Sequence, residues 1–280
     1  MSEAGKLYVV ATPIGNLGDL SPRAAETLAA VDFIAAEDTR VTAKILNHIG
    51  VKKPMISCQK YNEYERADQL TQRMLAGESC AFCSDAGTPV ISDPGGALVS
   101  RALDLGITVV PVSGPSAVVS ALSVCGLHCE RFCFEGFLPT PKGNRRTRLE
   151  ELKNEKRTLV FYEAPHKLQR TLHDMLAAFG ERQITVCREM TKLHEEIWRT
   201  TLSEAAAHYD ENPPRGEFVL VIAPAPQEKA PEMDLDAAAQ LALRYAEEEG
   251  LSISEAAKRA AKESGFSKSD VYRAAQEARE

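Results

Sequence analysis

Four short stretches gather the residue types that do chemistry: TPIGNLGD (residues 12–19), AEDTR (36–40), SDAGTPVISDPG (84–95) and VSGPSA (112–117). Each follows a short β-rich run, and in parallel α/β sheets ligands bind beyond the carboxyl ends of the strands. In the third stretch, Asp85 stands directly after its strand and can accept hydrogen bonds from a ligand's hydroxyl or amino groups. Gly87 removes the side chain that would hold a ligand off the backbone, and Pro89 stiffens the rest of the loop. Asp93 and Pro94 read as the N-cap and first residue of the next helix. The first stretch has neither GxxxxGK(S/T) nor GxGxxG, which argues against a P-loop or dinucleotide site. The fourth approaches the GxSxG nucleophile elbow with Ser116 as nucleophile, although Val118 stands where the second glycine belongs. With His166, His173, His194 and His208 downstream as bases, an α/β-hydrolase is a competing reading.

The elements that must position these loops follow from hydrophobic period. LYVVAT, DFIAAE, PMISC, SCAFCSD and ITVVPVS read as strands, and SPRAAETLAAV, RVTAKILNHIG, EYERADQLTQRMLAG, GGALVSRALDLG and PSAVVSALSVCG as helices. This alternation predicts a mostly parallel sheet covered on both faces over residues 1–127. Ser21 and Pro22 punctuate one helix start, and Gly50, Gly77, Gly106 and Gly126 close helices. From 128 to 225 the strands RFCFEGF, RTLVFYEA, QITVCREM, HEEIWRTTL and GEFVLVIAP predict a second α/β domain with a more mixed sheet. A linker at 226–233 then leads to an all-helical extension, 234–280, patterned as a helix-turn-helix with its turn at Gly265 and Ser267 capping the second helix.

Composition bounds the function. The 280 residues are 44% hydrophobic and 26% charged, ordinary for a globular protein with more than one core. No apolar run approaches the roughly 20 residues that span a bilayer, and MSEAGK leads straight into LYVVA, so a cytoplasmic location and no membrane partner are expected. Seven cysteines in apolar contexts fit reduced core thiols. Cys80 and Cys83 should point to opposite faces of a strand, and Cys125, Cys129 and Cys133 miss the spacing of a cluster-binding set, so no metal is expected.

A net charge of −7 gives the whole protein no attraction to a polyanion, so any nucleic-acid contact must be local. The basic run KGNRRTRLEELKNEKR (142–157) reads either as a solvated helix face or as a phosphate-binding segment. The stretch 251–280 holds six Lys and Arg against five Asp and Glu, which leaves packing and RNA contact both open for the extension.

The series KLYVVATPIGNLGDLS, DFIAAEDTR, SDAGTPVISDPG, VSGPSA, GFLP, FYEAPHK, CREMTK and GEFVLVI resembles the tetrapyrrole-methylase superfamily, and within it the bacterial enzymes that methylate a cytidine 2′-hydroxyl of 16S rRNA. The resemblance implies two α/β domains with S-adenosylmethionine in the cleft between them, a homodimer, and 16S rRNA or the small ribosomal subunit as partner. It places the cofactor against Pro13, Ser84, Asp85, Ala86, Thr88, Ser116 and Ala117, with Glu163 and Met190 from the second domain. A tetrapyrrole or other small molecule is the alternative acceptor. A base for the weakly nucleophilic hydroxyl is sought among Glu37, Asp38, Glu63, Glu163, Glu189 and Lys192 at or near strand ends. Arg40, Arg145, Arg146 and Lys192 are the expected contacts to RNA phosphates.

Overall fold

The computed structural model describes residues 4–226 and 233–279. The chain divides into a unit ending at Ala225 and one beginning at Pro226. Most of the expected linker, 227–232, lies outside the described residues.

The first unit holds two five-stranded sheets. In the first, β1 (Leu7–Val10), β2 (Phe33–Ala36), β3 (Met55–Ser57), β4 (Cys80–Cys83) and β5 (Val109–Val112) pair in parallel, in the order β3-β2-β4-β1-β5. Period-2 alternation splits each strand between two cores. Leu7, Phe33, Ala35, Cys80 and Phe82 face one side, whereas Val10, Ile34, Ala36, Ala81 and Cys83 face the other. Cys80 and Cys83 therefore fill opposite cores, and burial pushes the Cys83 thiol up to about 12.

Helices α1 (Pro22–Ala30), α2 (Thr39–His48), α3 (Glu63–Leu75), α4 (Gly96–Asp104) and α5 (Ala117–Val124) link the strands. The Ser21 hydroxyl accepts from Ala24 N–H at the start of α1, as Ser-Pro predicts. The start of α4 differs from expectation. Asp93 does not cap it and Pro94 is not its first residue; the N-cap is Gly95, at φ +118°. A Cβ there would lie 2.2 Å from the Phe82 ring, so close packing as well as φ requires glycine. The cap oxygen comes from α3: Glu63 Oε1 accepts from Gly95 N–H at 2.8 Å and from Ala97 N–H at 2.6 Å.

The second sheet, order β6-β7-β10-β8-β9, contains β6 (Phe132–Phe137), β7 (Thr158–Glu163), β8 (Gln183–Arg188), β9 (Glu196–Thr201) and β10 (Phe218–Ile222). Only β6 and β7 pair in parallel, making the sheet mixed. One face packs on α6 (Lys142–Leu152), α7 (Pro165–Phe179) and α8 (Leu202–Glu211). The other face receives Val118 and Ala121 of α5 and Cys125 at its C-cap against Val160, Cys187, Val219 and Val221. The α5 carbonyls left over at its end accept hydrogen bonds from this half too: Thr185 Oγ1 donates to Cys125 O at 2.9 Å, and Arg199 to Cys125 O and Val124 O.

The second unit is a bundle of α9 (Leu235–Glu248), α10 (Ile253–Ser264) and α11 (Lys268–Glu277) around Ala238, Ala242, Ala257, Ala260 and Val271. Ser252 and Glu255 form a capping box on α10, Gly265 turns at φ +80°, and Ser267 caps α11. Arg259 pairs with Glu249, and Arg273 with Asp270, so part of its positive charge is consumed internally.

Candidate active site

The strand-end loops of the first sheet are laced together. Thr12 and Gly87 exchange backbone hydrogen bonds at 2.9 and 3.0 Å, Thr12 Oγ1 donates to Ser84 O, and Thr88 Oγ1 donates to Pro115 O at 3.1 Å. Gly87, at φ +77°, keeps bare backbone at this junction. A second lock joins the ends of β2 and β4: Asp85 N–H donates to Glu37 Oε2, and Asp38 N–H donates to Asp85 Oδ1.

Opposite these loops stand the ends of β7 and β8 and the start of β10. Glu163 is buried, with Oε1 accepting from Ala164 N–H and Oε2 from Thr171 Oγ1 at 2.6 Å. Lys192 Nζ bridges Glu189 and Glu217, both at 2.8 Å. The backbone here turns sharply, with Glu189 at φ +50° and Thr191 at φ +66°. Gly15 makes room for this turn, because a Cβ on it would meet Lys192 Cγ at 2.5 Å.

Between the two halves lies a cavity of about 360 Å³, a size suited to a small-molecule ligand. Ile14, Ala86, Gly87, Thr88, Ile91, Asp93, Ser116 and Ala117 line it from the first half. Phe137, Tyr162, Glu163, Ala164, Pro165, Met190, Lys192, Glu217, Phe218 and Val219 line it from the second. Burial pushes the Tyr162 phenol up to about 12.

Of the residues expected at the cofactor, Ala86, Thr88, Ser116, Ala117, Glu163 and Met190 line this cavity, whereas Pro13, Ser84 and Asp85 do not. Ser84 is buried beneath the loop, and the Asp85 carboxylate turns to Asp38. Of the candidate bases, Glu163 and Lys192 line the cavity. Asp38 is held down to about 2 by its hydrogen bonds from Arg40. Glu63 is the cap of α4, and Glu189 is held below the usual carboxylate range by its hydrogen bond from Lys192. Burial, then repulsion from Asp85 and Asp93, pushes Glu37 up, against its hydrogen bond from Asp85 N–H.

Arg145 is a correction: it is 4% exposed, its Nε and Nη2 are bound to Asp174 and its Nη1 to the Pro139 and Thr140 carbonyls, so it is a buried ion-pair partner with no face toward a phosphate. Arg146, sharing Asp174, and Arg40, paired with Asp38, remain exposed.

The hydrolase reading fails on geometry. Ser116 is extended, φ −147° and ψ 119°, rather than folded into a strained elbow. Two of its supposed bases are engaged elsewhere, His173 with Asp210 and His208 packed edge-on to Trp198. The sequence reading missed Asp93, Tyr162, Phe137 and Glu217 as cavity residues. For Tyr162 a signal existed, since it immediately precedes Glu163 at a strand end; for Asp93 the helix-start pattern concealed it.

A two-sheet fold with a ligand-sized cavity between the carboxyl-end loops of one sheet and strand ends of the other defines a methylase architecture, and the chain belongs to the tetrapyrrole (corrin/porphyrin) methylase family, whose model matches residues 6–206. Relatives named ribosomal RNA small subunit methyltransferase I are similar over most of its length. The Synechocystis protein is 46% identical over 269 residues, 96% of each chain, and the Escherichia coli O157:H7 protein is 44% identical over 278 residues, 98% of this chain and 95% of that one. The Thermotoga maritima protein is 47% identical over 218 residues, 98% of its own length but 78% of this chain. Among solved structures, the methyltransferase CobJ superposes with TM-score 0.60 at 18% identity, covering 79% of this chain and 95% of that one. Uroporphyrin-III C-methyltransferase of Thermus thermophilus, complexed with S-adenosylhomocysteine, gives 0.58 at 17% identity, covering 78% and 97%. These two likenesses concern the fold.

Proposed function

We propose that this chain transfers a methyl group from S-adenosylmethionine to the 2′-hydroxyl of a cytidine in the decoding region of 16S rRNA. The observation that carries the reading is near-full-length identity of 44–46% to proteins named ribosomal RNA small subunit methyltransferase I, in a chain of the tetrapyrrole methylase family. The cavity fits the cofactor. Bare backbone at Gly87, the hydroxyls of Thr88 and Ser116, and the apolar Ile14, Ala86, Ala117 and Met190 offer the mix of hydrogen-bonding and apolar surface that a nucleoside with an amino-acid arm needs. When bound, S-adenosylmethionine supplies an electrophilic methyl on a sulfonium sulfur.

The protein's own work is then to orient and to exclude water. Methyl transfer is an in-line displacement, so holding the acceptor oxygen against the methyl carbon supplies much of the acceleration. The laced loops and the locked pair Glu37 and Asp85 give the rigid frame this demands. With a net charge of −7, RNA must be gripped locally, and Arg40, Arg146 and Lys192 are the cations proposed for its phosphates. The reading carries with it a cytoplasmic homodimer.

The test is a labelled methyl-transfer assay on free 16S rRNA and on assembled 30S particles, with nucleoside mass spectrometry of the product. The expected product is 2′-O-methylcytidine from at least one substrate. A base-methylated nucleoside, or transfer to a uroporphyrinogen acceptor run in parallel but not to RNA, overturns the reading.

A further inference from the structure

We propose that Asp93 is the general base of the reaction, its carboxylate accepting first a hydrogen bond and then the proton of the acceptor hydroxyl; this rests on the function proposed above. Asp93 lines the cavity, half-buried, on the loop that runs from β4 toward α4. It is free of the capping duty its sequence suggests, because Glu63 supplies the cap. The loop reaches across to the second sheet, where Ser92 Oγ lies 3.3 Å from the place a Cβ on Gly136 would occupy, and Gly136 sits at the register shift of β6.

Two non-glycine residues on this loop hold left-handed backbone, Val90 at φ 75° and Ser92 at φ 73°. Such conformations are strained and persist where surrounding structure enforces them, which concentrates them at functional sites. Both lie within three residues of Asp93, which lines the cavity.

The other carboxylates that line the cavity or adjoin it each hold a hydrogen-bond or ion-pair partner. Glu163 accepts from Ala164 N–H and Thr171, Glu189 accepts from Lys192 and Glu217 N–H, and Glu217 holds Lys192 from an 80% exposed side chain. Around Asp93 stand the Ser84 hydroxyl, the Asp85 and Glu37 carboxylates and the Tyr162 phenol. Lys192, the cation in the same cavity, is bound to Glu189 and Glu217, and among the described residues no ion pair reaches Asp93. Burial, then the Asp85 charge, pushes its carboxyl above the usual range, against the opposing influence of the nearby Ser84 hydroxyl. A carboxylate without a cation, moved toward neutrality, is a better proton acceptor than the ion-paired ones nearby.

In the step, the hydroxyl oxygen bonds to the methyl carbon as the carbon–sulfur bond breaks with its electron pair to sulfur. The hydroxyl proton passes to Asp93 and from there to water.

The experiment compares wild type, Asp93→Asn and Asp93→Glu, measuring S-adenosylmethionine affinity by calorimetry and single-turnover methylation of 16S rRNA or 30S particles from pH 5 to 9. Asp93→Asn should bind the cofactor within about threefold of wild type and react about 10²–10⁴ more slowly, with the ascending limb of the pH–rate profile gone. Asp93→Glu should recover part of the rate with the limb displaced. Turnover of Asp93→Asn within threefold of wild type overturns the proposal. So does cofactor affinity lost more than tenfold, which makes Asp93 a cofactor ligand, or a slowed variant whose limb stays in place, which makes it a structural one. Failure of the functional reading shows separately, as wild-type protein that binds S-adenosylmethionine and methylates no cytidine.

Discussion

Glu63→Ala tests the cap that α3 lends to α4. Glu63 is 9% exposed, and its Oε1 accepts from two N–H groups at the helix start, Gly95 at 2.8 Å and Ala97 at 2.6 Å. Alanine leaves both donors without that acceptor. Loss of a cap alone costs about 0.5–2 kcal/mol, and a buried donor stripped of its partner costs about 1–3 kcal/mol. Gly95 N–H is buried and Ala97 N–H only partly so, and because the two ranges describe the same lost bonds, the cost is about 1–3 kcal/mol. Glu63→Gln keeps a carbonyl oxygen for one or both donors and forfeits the negative charge at the helix N-terminus, a loss of about 0.3–1 kcal/mol. Urea denaturation monitored by far-UV circular dichroism reads both variants. Because α4 starts directly after the Asp93 loop, Glu63→Ala should also slow methylation while Glu63→Gln stays close to wild type. A Glu63→Ala protein of unchanged stability with abolished turnover would refute the capping argument and return Glu63 to the candidate bases.

Two more outcomes concern the second sheet and the helical unit. Asp174→Ala leaves the Arg145 guanidinium, 5% exposed, without its carboxylate and should cost about 3–5 kcal/mol by thermal or urea unfolding. Burial raises the Asp174 carboxyl, and the hydrogen bonds from Arg145 and Arg146 more than offset this, leaving it below its ordinary value. Its contribution is therefore full above about pH 4 and fades as pH falls through the lower folded value, a fading that wild type should show in acid and Asp174→Ala should lack; an Arg145→Ala protein of wild-type stability but weak RNA binding would contradict this. Deletion of residues 226–280 should leave the remainder folded and able to bind the cofactor, since the residues up to Ala225 form a compact unit with cores of their own. A truncated protein that methylates as fast as the full chain rules out RNA contact by the extension, whereas slower methylation with intact cofactor binding supports it.

Local pattern made most elements legible. Alternating strands and 3.6-period helices depend on neighbours a few residues apart, so the ten strands, the Ser21 cap and the opposed faces of Cys80 and Cys83 could be read from the chain. Three of the four strand-end loops, 12–19, 84–95 and 112–117, were likewise legible as places for a ligand and border the cavity. Illegible were the interactions set by distant partners. Asp93-Pro94 has the local signature of a helix start, yet an oxygen from Glu63, 32 residues from Gly95, takes the position. Arg145 belongs to a basic run, yet Asp174, 29 residues on, draws it into the interior while Arg146 beside it stays exposed.

The sequence by itself determined which residues could act and which segments would become strands, helices and loops, because those properties rest on side-chain chemistry and short-range backbone preference. Tertiary structure alone decided which carboxylates are consumed as caps and ion-pair partners and which of those lining the cavity lacks a cation. A carboxylate's role depends on the donors and cations that packing brings within about 3 Å, and these come from elsewhere in the chain.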